Sequence, residues 1–308
     1  MKGDLGRHRI GAVARLTGIS EHVLRVWERR YATVAPARPH GGQRLYSDAD
    51  VAHLRRLKHL TDLGHSIGTI ARLRDKELDA LLRRHPETRT PPRDGEDPAA
   101  PGAVVGAIQA RFLEAISTLD VAAADRMVAR ALVTFEPLEL LEDVIAPLLL
   151  EVGRRWQAST FSIAQEHAAS AVIRNQLGGF VRQMSADAGA PVAVCATPAG
   201  ERHEFGALFA AVVAVTLGWR AVYLGPSLPA DDIAQAARQT KARAVMLSVV
   251  CLPPVELARE VSRLRTLLPR GTQIYLGGSG TDAKTTFIAV RHVRDLRALA
   301  KAIETDKR

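Results

Sequence analysis

The chain has 308 residues, 47% of them hydrophobic and 24% charged, so it is long enough for two or three folded domains and has the composition of a soluble globular protein. Its apolar runs stop short of the roughly 20 residues that span a bilayer, and residues 1–11 lack the apolar core of a secretion signal, which predicts a cytoplasmic protein with no membrane association. Cys195 and Cys251 are the only cysteines; both stand in apolar runs and read as core residues, so neither a disulfide framework nor a cysteine metal cluster is expected.

The net charge of +9 is concentrated at the start: residues 1–84 hold 17 Lys and Arg against 9 Asp and Glu, an excess of 8 that points to an anionic partner. In the same region "RIGAVARLTGISEHVLRVWERRY" (9–31) reads as a short helix ending near Leu16, a Thr-Gly-Ile-Ser turn, and a second helix with Ser20 as N-cap. Such a helix-turn-helix sends its second helix into the major groove. In "PARPHGGQRLYSDADVAHL" (36–54), Gly41-Gly42 predicts a tight turn from which Arg38, Arg44 and Tyr46 project, and Ser47 opens a further helix in a capping box. Trp27 reads as core.

With "LGHSIGTIARL" after it, this region resembles the winged DNA-binding domain of MerR-family transcription regulators over residues 8–76. The resemblance implies a double-stranded DNA operator as partner. It makes His22, Arg25, Arg29 and Arg30 on the recognition helix, and Arg38, Arg44 and Tyr46 on the wing, the residues that contact phosphates and base edges. MerR-type metal sensors carry cysteines after this domain; none stands there here, so the effector is of another kind.

Residues 84–103, rich in Pro, Gly and charge, read as a linker that lets the head move relative to the rest. From Val104 to about Met184 the apolar residues recur at helical spacing and predict four helices. Within them Trp156 is followed, after nine residues, by Glu166-His167, and Ser162 to Gln165 forms a capping box that opens the helix bearing that pair.

From residue 190 strands and helices alternate. Strands are expected at 192–197, 220–224, 244–250 and 273–276, with a weaker one at 287–290, which together predict a doubly wound parallel sheet. "GERHEFG" (200–206) leaves the first strand. Gly206 is separated by 41 residues from Ser248-Val249-Val250, and Val250 by 26 from Gly277-Gly278. All these segments end strands, so His203, Ser248 and the glycine pair should face one cleft.

This spaced set resembles the corrinoid-binding signature of cobalamin-dependent methionine synthase, acyl-CoA mutases and their relatives. With the Trp-x9-Glu-His bundle it resembles the light-sensing cobalamin-binding regulators of the CarH/LitR type. The resemblance implies cobalamin, adenosylcobalamin above all, with His203 on the lower face of cobalt and Glu201 as the acid that orients it. It also implies that Gly206, Ser248, Val250, Gly277 and Gly278 admit the nucleotide tail, and that Trp156, Glu166 and His167 cover the upper face. Three departures stand out. Glu201 replaces the usual Asp, Val250 replaces a Leu, and Gln157 replaces a histidine that takes the upper cobalt position after photolysis.

The expected fold is therefore multidomain: an all-α winged helix-turn-helix head (1–83), the linker (84–103), a four-helix bundle cap (104–188), and a Rossmann-like doubly wound α/β domain (189–308). The expected function is that of a light-responsive, cobalamin-dependent repressor, a homo-oligomer in which a dark tetramer, or a dimer, grips DNA and dissociates on photolysis. The alternatives are a regulator that senses cobalamin or another tetrapyrrole without light and, in the enzyme class, a corrinoid methyltransferase or mutase component. The basic head, which such an enzyme does not need, favours the non-enzyme reading.

Overall fold

The computed structural model describes residues 7–38, 43–63, 65, 67–83, 101–184, 186, 188–281, 287 and 289–306, which form two compact units, 1–173 and 174–308. The Gly41-Gly42 turn and linker residues 84–100 lie outside the described residues.

The first unit opens with β1 (His8–Arg9) and α1 (Ile10–Thr17), which Gly18 ends in the left-handed conformation at φ 68°. In α2 (Glu21–Tyr31) the Ser20 hydroxyl accepts the Val23 N–H, the N-cap expected from the sequence. β2 (Leu45–Tyr46) pairs antiparallel with β1, so the head is not purely helical. In α3 (Asp48–Asp62) Ser47 and Asp50 form a complete capping box; α4 (Ile67–Ile70) and α5 (Asp75–Arg83) follow. Val13, Ile19, Leu24, Trp27 and Tyr46 are buried in one core, as expected for Trp27. Tyr46 was expected to project from the wing. It is 0% exposed because its strand faces the core, with only the hydroxyl reaching toward Glu28.

Four helical segments make the bundle. They are α6 (Pro101–Ser117), α7 (Val121–Thr134), a third segment, and α10 (Ile163–Met184). Helix thus begins at Pro101, inside the expected linker. The third segment is broken internally into α8 (Pro137–Glu139), a π-helical stretch (Leu140–Ile145) and α9 (Ala146–Gln157). The expected box at the start of α10 is present: the Ser162 N–H donates to the Gln165 side chain and the Gln165 N–H to the Ser162 hydroxyl.

The second unit begins within α10, at Arg174. Its sheet comprises β3 (Val192–Pro198), β4 (Arg220–Leu228), β5 (Ala244–Ser248), β6 (Gln273–Gly277) and β7 (Val290–His292), all parallel, in the order β4-β3-β5-β6-β7. β3 and β5 are buried along their whole length, as central parallel strands must be. α11 (Phe205–Thr216) and α14 (Leu296–Asp306) cover one face; α12 (Ala230–Thr240) and α13 (Pro254–Leu267) cover the other. Strand order reverses between β3 and β5, and the loops leaving their carboxyl ends open onto that switch point, where ligands of such sheets bind. The fifth strand lies at 290–292 and not at 287–290: Phe287 packs on the core and stacks on His292, so its apolar character serves a turn before the strand.

Candidate functional site

The loop from β3 to α11 is held before it does anything else. The Thr197 hydroxyl donates to the Glu201 carbonyl (2.6 Å) and accepts the Ser227 N–H (2.8 Å), while the Gly200 N–H, at φ 87°, donates to the Ser227 hydroxyl (3.1 Å). Glu201 is 1% exposed. One carboxylate oxygen accepts both the His203 N–H (2.9 Å) and the imidazole Nδ1–H (2.5 Å). The other accepts the backbone N–H groups of Val250 (2.7 Å), Cys251 (2.7 Å) and Leu252 (3.2 Å) on the loop leaving β5. Burial pushes this carboxyl up, but the N–H donors of Cys251, His203 and Val250, with the imidazole, outweigh it and hold the pKa at about 2. An ionised partner on Nδ1 fixes the tautomer, so the Nε2 lone pair of His203 is available, and the side chain is 55% exposed.

Beside His203, the Glu204 carboxylate takes a hydrogen bond from Arg174 of α10 (2.5 Å) and another from the Tyr223 hydroxyl of β4, which burial and that carboxylate push well above the usual phenol range. Neither partner was legible in the sequence, because each comes from a different element.

A cavity of about 330 Å³ lies along the ends of β5 and β6, and Gly206, Ser248, Gly277 and Gly278 all line it, together with Phe209 and Tyr275. His203 and Val250 are not among its lining residues; Val250 takes part through its backbone N–H to Glu201. A Cβ at Gly206 would stand 2.1 Å from the Ser248 hydroxyl, and one at Gly278, where φ is 107°, 2.1 Å from the Val249 carbonyl. These positions thus require glycine. Cys251, expected in the core, is exposed, because only its backbone is used inside.

In the bundle Trp156 lies in the last turn of α9 and is 48% exposed, so it does not plug the core. Glu166 accepts the Ser170 hydroxyl (2.8 Å), and His167 is exposed. Among the described residues no three His, Cys, Asp or Glu side chains are grouped to hold a metal.

On the head, Arg29 and Arg30 are exposed and Arg25 pairs with Glu21 (2.5 Å) on the same helix. Arg38 (2.9 Å) and Arg44 (2.7 Å) both pair with Glu28 of the recognition helix. His22, expected on the DNA-facing side, instead has its Nε2 buried without a partner.

Residues 8–77 match the MerR HTH family of regulatory proteins, and residues 108–178 and 191–297 each match a B12 binding domain. The HTH-type transcriptional repressor CarH of Myxococcus xanthus is 34% identical over 88% of this chain and 89% of its own. The chain belongs to the CarH family of MerR-type repressors. CarA, a second HTH-type transcriptional repressor of Myxococcus xanthus, is 32% identical over 88% of this chain and 86% of its own. A monomethylamine corrinoid protein of Methanosarcina barkeri matches in fold, with a TM-score of 0.51 at 17% identity, over 65% of this chain and 99% of its own. In this CarH-family member the two B12-binding matches coincide with the bundle and the sheet, and the MerR match with the basic head. Among the described residues no helix is long and apolar enough to cross a membrane.

Proposed function

We propose that this CarH-family repressor binds cobalamin through His203 and uses it to control an oligomer that grips operator DNA. The observation that carries the reading is the orientation of His203 by a buried, ionised Glu201, which presents Nε2 outward as a ligand for a borderline metal such as cobalt. The glycine-lined cavity beside Ser248 suits a planar tail entering the sheet, and Trp156, Glu166 and His167 are assigned to the cap. Bound as adenosylcobalamin, the cofactor would supply a cobalt–carbon bond that visible light can break. His203 would hold the cobalt through Nε2, Glu201 would keep its tautomer, and Gly206 and Gly278 would keep the cavity clear. A dark tetramer gains DNA affinity because several heads bind together, and its dissociation releases the operator.

Gln157 favours a second reading, in which the cofactor is sensed without light. An amide is a poor ligand for cobalt, so no side chain at this position would capture the photolysed metal. The test mixes the purified protein with adenosylcobalamin in the dark, desalts it, and records absorption before and after green light. A bound spectrum that changes on illumination is the expected result, and His203→Ala should retain at most a small fraction of the cofactor. A retained spectrum indifferent to light would select the second reading; no retained cobalamin would overturn both.

A further inference from the structure

The recognition helix of the head does not end in open solvent. At its start the Ser20 N–H donates to the Val133 carbonyl of α7 (3.0 Å), and the His22 N–H donates to the Glu136 carboxylate (3.1 Å), in the connection that leads from α7 to α8. The Val133 side chain packs against the head core that holds Ile19 and Trp27. The His22 ring is carried inward with these contacts, its Nε2 left buried and unpartnered.

A helix N-terminus with free N–H groups is an anion site, and helix-turn-helix heads bring the first turn of the recognition helix to the groove and the phosphates that flank it. Here that first turn already holds a carboxylate. We infer that Glu136 stands in for a DNA phosphate at the start of the recognition helix, so that the bundle holds the head in an arrangement that must open before DNA is bound. This rests on the reading of the head as a DNA reader. The shape of the contact explains two features together: Glu136 is the residue before α8 yet makes no side-chain cap to its own helix, and His22 is half-buried with its Nε2 enclosed, on a helix whose neighbours Arg25 and Arg29 are exposed.

The inference is tested on the full chain, with a fluorescein-labelled duplex of mixed sequence at low, fixed salt, by anisotropy. Glu136→Ala should bind this duplex about tenfold more tightly than the natural protein, since one charge-assisted contact no longer competes. Glu139→Ala makes the same charge change three residues away at an exposed position and should stay within about twofold. Hydrogen exchange at the His22 amide, read in the same two variants without DNA, should quicken only in Glu136→Ala. Equal affinities for Glu136→Ala and the natural protein with DNA bound by both, or an equal gain in Glu139→Ala, would overturn the inference. Failure of every variant to bind the duplex would overturn the DNA reading beneath it.

Discussion

At the scale of single residues, His22 shows how a side chain that the sequence puts on a DNA-facing helix can be claimed by something else. Burial, with the charges of Arg25 and Arg29 beside it, lowers its pKa from 6.5 to about 4. Because the unfolded or opened state takes up a proton first, the contact is at full strength above about pH 6.5 and weakens as pH falls toward 4, by an amount on the order of 3 kcal/mol. Urea unfolding followed at pH 7.5 and pH 5 should therefore show a loss at the lower pH that His22→Gln reduces; the Glu136 carboxylate meets only the His22 backbone N–H. His203 and Glu201 were legible as a pair, since two residues on one short loop must meet. The grip of Glu201 on the amides of Val250, Cys251 and Leu252 was not, because backbone donors 49 to 51 residues away leave no mark in side-chain identity.

At the scale of elements, caps and buried strands were readable, and breaks within helices were not. Ser20, Ser47 and Ser162 all cap as expected, because a hydroxyl one step before an apolar-periodic run has a single good use. The run "LELLEDVIAPLLLEVGRRW" reads as one helix, yet it contains a π-helical stretch at 140–145. Pro147 supplies the physical reason: it has no N–H for the Asp143 carbonyl, and the Gln109 side chain takes that carbonyl instead (2.9 Å). Gln109→Leu removes the substitute donor and should cost about 0.5–1.5 kcal/mol in urea unfolding, while a near-neutral effect would mean that water serves the carbonyl equally well.

At the scale of the whole molecule, the order of head, bundle and parallel sheet followed from composition and period, and the cavity at the sheet edge from the spacing of Gly206, Ser248 and Gly277-Gly278. The contact between head and bundle did not follow, because a Pro-rich, charged stretch between two modules says nothing of whether they meet. Charge is the other molecular property. The slope of log affinity against log salt should fall by about 1 in Arg29→Ala, an exposed cation, and by less in Arg44→Ala, whose charge is already matched. Glu28 draws the wing's Arg38 and Arg44 onto the recognition helix, so two of the wing's cations are held by one carboxylate within the head. Nonspecific binding to duplex should then draw chiefly on exposed cations such as Arg29, with Arg38 and Arg44 contributing less while they are paired with Glu28.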